Sequence, residues 1–306
     1  MAKRLATDII TFYHPRFWGL ESPADLQQWV AANLDTFWEK VLNTLEETGV
    51  PGIELTFDPG SISNVLKAFG SARNFREELD RRGLNVVSSF MAYAPSWAGD
   101  ADLGAIVADA ESRAGFLAEV GADILVTGLP MRKTRGERPP FFVDAAYMGR
   151  MADIAHAVGE ATSQMGVKLA MHTESNSSLW YERDIDLLMA YTDPRYVWLC
   201  PDSCHITLGG GDPVQVASRH APRIILAHWK DAVGLMGPDL IIDETIHAQQ
   251  QKYMVDFGAG VVDWAAWAAA MQATPGRDTV LLELDAAADP VVALKSGKAI
   301  VERVAS

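Results

Sequence analysis

The chain has 306 residues, 49% of them hydrophobic and 22% charged. That apolar share supplies a large core and excludes disordered, collagen-like and disulfide-stapled classes, while the length fits one large α/β architecture or two ordinary domains. Forty acidic residues against 26 basic give a formal net charge of −14, a field that repels phosphate backbones, argues against a nucleic-acid partner and draws divalent cations to any carboxylate cluster.

The two cysteines, Cys200 and Cys204, offer no disulfide framework. They read as packing residues in a reducing, cytoplasmic setting. The start MAKRLATDII lacks a full apolar stretch and a cleavage site, so no signal peptide is expected. No apolar run is long enough to span a membrane.

From the N-terminus onward, short β-type runs alternate with longer stretches of helical periodicity. Leu5–Phe12 is followed by Ala24–Thr48, Gly52–Thr56 by Ile62–Arg82, and Asn85–Phe90 by Ala101–Val120. Asp123–Thr127 precedes Ala145–Met165, and Lys168–His172 precedes Arg183–Tyr191. Tyr196–Cys200 leads to Pro213–Arg219, Arg223–Ala227 to Asp263–Gln272, and Thr279–Glu283 to Pro290–Val304. Eight β–α units in strict order predict parallel strands closed into a single (β/α)8 barrel over residues 1–306. A doubly wound sheet is disfavoured, because TFYHPRFWG stands where a glycine-rich nucleotide turn would follow the first strand. The 233–260 loop is long for its position and predicts a lid or an oligomer interface. In GGGDP, Asp212 and Pro213 read as a helix cap and first helical residue rather than a phosphate cradle.

A barrel keeps its chemistry at the carboxyl ends of its strands. Those ends carry His14, Glu54, a Tyr93/Trp97 loop, His172 with Glu174, Asp202 with His205, His228 with Lys230, and Glu283. Glu174, Asp202, His228 and Glu283 form a mixed oxygen and nitrogen set suited to Mn²⁺, with Co²⁺ or Mg²⁺ as alternatives. His172 and Glu174 lie two apart and both face inward, so either can ligate; Glu174 is preferred because a hard cation favours oxygen. His172, Glu174, His205 and Glu283 are the candidate proton-transfer groups. Glu54, Lys230, His14 and Trp97 are the candidate substrate contacts. The 132–138 loop, with Arg132, Lys133, Arg135 and Arg138, reads as solvated or subunit-facing.

The segments VKLAMHTESNS, LMAYTDPRYVWLCPDSCHITLGGGDP, RIILAHWKDAV and LLELD resemble the xylose-isomerase-like barrel superfamily, and most closely its inosose dehydratase branch. That resemblance implies Asp202, His228 and Glu283 as ligands, with His205 and Lys230 facing substrate. HPRFWG and the HTE pair are also similar to the larger subunit of enzymes that cleave C-glycosides of a 3-keto sugar, which work with a small partner subunit.

Together these readings predict a metal-dependent lyase acting on a keto sugar, keto cyclitol or keto glycoside by α-proton abstraction and β-elimination. His205 would serve as the acid toward the leaving group. The alternative is an isomerase or epimerase working through an enediolate. A nuclease of the endonuclease IV kind is disfavoured by the acidic charge and by the lack of histidines at strand ends two and three. A homo-oligomer is expected.

Overall fold

The computed structural model describes residues 3–91, 97, 102–237, 239–285 and 287–305. Tyr93 lies outside them. Among the described residues, eight parallel strands form the sheet: β1 (Arg4–Asp8), β2 (Gly52–Leu55), β3 (Asn85–Met91), β4 (Ile124–Thr127), β5 (Lys168–His172), β6 (Val197–Cys200), β7 (His228–Trp229) and β10 (Thr279–Leu282). Their order is β6-β5-β4-β3-β2-β1-β10-β7. Isolated parallel bridges Leu199–Ile224 and Asp202–His228 link β6 to the β7 segment, which nearly closes the barrel.

Small and branched side chains fill the barrel interior: Ala6, Val87, Val126, Ala170, Cys200 and Leu281 cluster there. Layers of this kind are what alternating inward residues of a closed sheet produce. Both cysteines are buried and free, Cys204 packing with Trp180 and Leu208. The larger core lies between strands and helices and includes Phe37, Trp38, Phe75 and Trp267.

Three local departures from the sequence reading have physical causes. The first strand ends at Asp8, because Asp8 accepts from the Ile10 N–H at 2.6 Å and caps a short 3₁₀ turn over Ile9–Phe12. The two longest helical stretches each break in two. Asn33 leaves helical geometry between α1 (Pro23–Ala32) and α2 (Leu34–Thr48). Gly70, at φ 78°, separates α3 (Ile62–Phe69) from α4 (Ala72–Arg82), and Ser71 caps the second of these. Finally, Arg223–Ala227 pairs poorly and regular pairing begins at His228. The Gly276 N–H donates to the Ile224 carbonyl at 3.0 Å, so close that a Cβ on Gly276 would stand 2.6 Å from the Ile225 backbone.

Six of the remaining helices follow the predicted positions: α5 (Leu103–Val120), α6 (Ala145–Ser163), α7 (Glu182–Tyr191), α9 (Pro213–His220), α11 (Trp264–Met271) and α12 (Pro290–Val304), whereas α8 (Ser203–Leu208), directly after the Asp202 strand end, and α10 (Ile246–Gln251), inside the long loop, were not among the predicted stretches. Asp212 caps α9 with Pro213 at its first turn, as read from GGGDP. No described helix is long and apolar enough to cross a membrane.

One carboxylate gathers the far end of the 233–260 segment. Asp231, on the short strand β8 (Asp231–Ala232), accepts from the backbone N–H groups of Gly258, Gly260 and Val262 and from Trp264 Nε1. β8 pairs antiparallel with β9 (Met254–Val255). Asp231→Ala is expected to lower unfolding free energy by about 3 kcal/mol, because two buried donors, the Val262 N–H and Trp264 Nε1, and two part-buried ones, the Gly258 and Gly260 N–H groups, lose their acceptor. Chemical denaturation of the variant measures this.

Candidate metal and active site

The strand ends bring their polar groups into a cavity of about 380 Å³. It is lined by Asp8, Phe90, His172, Glu174, His205, His228, Lys230, Glu283 and Asp285, and by His247, Gln250 and Met254 of the long loop. That loop therefore covers the mouth.

Donor atoms of His172, Asp202, His228 and Glu283 all lie within 4.8 Å of one another, and all four residues are buried. Glu174 joins a second group with His172 and His205. The geometry thus puts His172 where the sequence reading preferred Glu174. The reason is local: His172 is the last residue of β5 and points into the barrel, whereas beyond it the chain turns back, with the Glu174 N–H donating to the Leu179 carbonyl.

Several buried atoms here lack hydrogen-bond partners: both ring nitrogens of His172, Asp202 Oδ2, His228 Nε2 and Glu54 Oε1. Orphaned buried groups cost about 1–3 kcal/mol each, so a cluster of them calls for a common partner. The charge balance gives the same result. Asp8, Glu54, Glu174, Asp202, Glu283 and Asp285 crowd a mouth in which Lys230 is the lysine. Burial and the neighbouring Glu54 and Glu283 push Asp8 well above the usual carboxylate range. Burial pushes Glu174 up to about 8 and Asp285 up to about 7, with Lys230 opposing both. Two imidazoles and two carboxylates around unpartnered atoms fit a divalent cation.

His228 bridges two carboxylates. Its Nδ1 is 2.5 Å from Glu283 Oε2, and its Nε2 is 2.8 Å from Glu54 Oε1 without the alignment of a hydrogen bond. Burial opposes the imidazolium, but Glu54, Cys200 and Glu283 outweigh it and hold His228 well above its ordinary value. Ser88 Oγ donates to the other Glu54 oxygen at 2.6 Å. Lys230 donates to Glu283 Oε1 at 2.9 Å and pairs with Asp285 at 2.5 Å, not with the adjacent Asp231. Burial opposes its charge too, and Asp285, Glu283 and Asp202 overcome it.

His205 has a defined tautomer. Ser175 Oγ lies 2.7 Å from its Nδ1 and donates at 2.9 Å to Gln250 Oε1. A hydroxyl has one proton, so Nδ1 carries the ring hydrogen. Nε2 then faces the cavity as an acceptor, 3.4 Å from Lys230 Nζ. Burial pushes this imidazole down to about 3. Gln250 also receives Asn176 Nδ2 at 3.1 Å and donates to Glu174 Oε1 at 3.3 Å. Asn176 holds a left-handed φ of 66° to reach it. Gln250→Leu frees the Ser175 proton, and the His205 ring hydrogen is expected to shift toward Nε2. Nitrogen-15 NMR reads that shift, and turnover is expected to fall about tenfold, the scale of lost supporting contacts.

The other expected contacts fall elsewhere. Trp97 is buried in the hydrophobic core and lines neither this cavity nor its neighbour, so it is a packing residue. His14 caps a 3₁₀ turn over Pro15–Trp18 and lines the neighbouring cavity. In the basic loop, Arg132 is held by Asp184 and the Ser177 carbonyl. Polar lining residues were missed, among them Asp8, Asp285, Gln250 and His247. Asp8 was hidden by a strand read through to Phe12. Asp285 sat inside LELD two residues beyond the chosen Glu283, the strand-end spacing that could have found it. For Gln250 the sequence carries no signal.

A family model described as xylose isomerase-like TIM barrel matches residues 42–302. The inosose dehydratase of Bacillus licheniformis is 29% identical over 123 residues, covering 38% of this chain and 41% of that protein. The chain thus spans about two fifths of the length of that curated relative. Among solved structures, the IolI protein with a bound zinc atom aligns with a TM-score of 0.72 at 14% identity, over 99% of this chain and 98% of that one. The probable 3-DHS dehydratase AsbF of Bacillus anthracis aligns with a TM-score of 0.70 at 16% identity, over 98% of each chain. At those identities the two structures show the fold.

Proposed function

Because this chain belongs to the xylose isomerase-like TIM barrel family, we propose that it is a divalent-metal-dependent lyase of carbohydrate metabolism that removes a β-substituent from a keto cyclitol or keto sugar. The observation that carries the reading is the set of unpartnered buried donors at the mouth, with His205 and Glu174 beside it. The similarity to an inosose dehydratase supports the lyase over an isomerase.

We assign the cation to His172, Asp202, His228 and Glu283. Two nitrogen and two oxygen donors suit Mn²⁺, Co²⁺ or Zn²⁺ better than Mg²⁺. Bound there, the ion supplies Lewis-acid stabilisation to the substrate carbonyl. The protein's own groups move the protons. His205 Nε2, presented as an acceptor by Ser175, takes the proton α to the carbonyl. The C–H electron pair becomes the new double bond, and the bond to the β-substituent breaks with its pair. Glu174, oriented by Gln250, returns a proton to that group, so a hydroxyl leaves as water. The sequence reading differed: there His205 was the acid toward the leaving group, and His172 or Glu174 was the base. Lys230 binds a substrate oxygen, whereas Glu54 lines neither cavity and stands buried behind His228, between that ring and Ser88. The long loop acts as a lid that keeps bulk water from the enolate. The two free buried cysteines agree with a reducing cytoplasm.

Mn²⁺-loaded protein with a panel of keto cyclitols and keto sugars in D₂O is expected to give products lighter by water. A product of unchanged formula that carries deuterium would instead make it an isomerase or epimerase.

A further inference from the structure

Asp8 is a buried acid on the wall of the mouth cavity that the proton transfers do not use. It ends β1, and the ring of strands sets β1 opposite β5. With the bridges that join β6 to the β7 segment, β5 is reached from β1 through β2, β3 and β4 or, equally far, through β10, β7 and β6. β5 leads into Glu174 and Ser175, and β6 leads into His205. A ring bound between these walls has its proton-transfer groups on one side and Asp8 on the other.

The mounting of Asp8 is rigid. Its Oδ1 accepts from the Ile10 N–H at 2.6 Å. The backbone on either side is tied to the end of β10: Thr7 Oγ1 donates to the Leu282 carbonyl at 2.9 Å, and the Leu284 N–H donates to Thr11 Oγ1 at 3.3 Å. Among the described residues, Oδ2 has no hydrogen-bond partner. Asp8 lies outside the donor group assigned to the cation. The lining from the ends of β1, β2 and β3 is otherwise Ile10, Thr56, Phe57 and Phe90, a largely apolar surface. A fixed polar group in such a wall sets orientation and specificity for a ligand. Burial, with Glu54 and Glu283 nearby, pushes the Asp8 carboxyl well above the usual carboxylate range, which favours an O–H donor there.

We propose that Asp8 Oδ2 holds a ring hydroxyl of the substrate on the side remote from the bond that breaks. The inference rests on the elimination reading above and adds a specificity determinant to it. A keto ring lacking that hydroxyl is a poor substrate, because it leaves the buried carboxyl unpaired.

The test uses the metal-loaded protein and two matched series. One holds keto cyclitols that each lack a single ring hydroxyl; the other holds the corresponding unreactive alcohols, with cyclohexanehexol as the full member. Asp8→Ser keeps an oxygen that caps the turn over Ile9–Phe12 but is too short to reach a bound ring. Asp8→Asn keeps the cap and places a donor at the Oδ2 position. Calorimetry is expected to show one deoxy alcohol binding the parent protein at least about tenfold more weakly than cyclohexanehexol, the scale of one buried group left unpaired. The kcat/KM of the matching ketone is expected to fall likewise. Asp8→Ser is expected to erase that preference at this one position, and Asp8→Asn to keep it. The contact is overturned if the parent protein binds none of the alcohols, or if Asp8→Ser keeps the preference or weakens every member by the same factor. Loss of the preference in Asp8→Asn overturns it too. If the ketones give no product lighter by water, the elimination reading falls, while the alcohols still decide the role of Asp8.

Discussion

Asp202→Asn and His228→Ala are each expected to strip the protein of its divalent ion and to cut turnover by at least about a thousandfold. The magnitude follows from the several kcal/mol of charge stabilisation that a catalytic ion supplies, with each 1.4 kcal/mol worth about a factor of ten. Asparagine is the informative change at position 202. Its side-chain oxygen can still cap α8 through the His205 N–H, as Asp202 Oδ1 does at 2.8 Å, so loss of metal is separated from loss of the helix cap. Loading the parent protein with Mn²⁺ at a hundred times its dissociation constant is expected to stabilise it by about 2.7 kcal/mol, and a chelator to reverse this. Elemental analysis and denaturation with and without the ion measure both effects. Stoichiometric ion retained in both Asp202→Asn and His228→Ala would sink the assignment.

The two proton-transfer groups are expected to fail differently. His205→Ala removes the acceptor at Nε2, and exchange of the substrate α-proton with D₂O is expected to fall at least about a hundredfold, the range of a lost general base. Glu174→Gln keeps a side chain that Gln250 can hold but offers no acid. It is expected to leave α-proton exchange measurable while slowing departure of the β-substituent by a comparable factor. Both variants are expected to retain the ion, because neither residue belongs to the assigned set. Exchange that survives in His205→Ala and vanishes in Glu174→Gln would reverse the two roles.

Gln250 connects these chemical expectations to the fold. It sits on the long loop, yet it bonds to Ser175, Asn176 and Glu174 at the end of β5. Its position makes the loop part of the site, and the tautomer of His205 depends on it. Asp231 does the mechanical work of fixing the same loop at its other end.

The amino-acid sequence alone determined the alternation of strands and helices, the barrel that follows from it, and most of the residues at its mouth. The physical reason is periodicity. Inward and outward positions of a strand, and the buried stripe of a helix, are written in the spacing of apolar residues. Strand ends are then found by counting, which located Glu54, Glu174, Asp202, His205, His228, Lys230 and Glu283. What spacing cannot encode is how far a side chain beyond the strand end turns. His172 and Glu174 have the same parity, and only the turn after β5 puts His172 within reach of Asp202, His228 and Glu283 while Glu174 lies toward His205. Asp8 emerged because its own carboxylate ends β1 by capping the following turn. Trp97 was read as a pocket wall and proves to be core, since an aromatic residue in a loop has no periodic partner to show which way it faces. Gln250 meets its partners between segments far apart in the chain, where tertiary packing alone decides which groups meet.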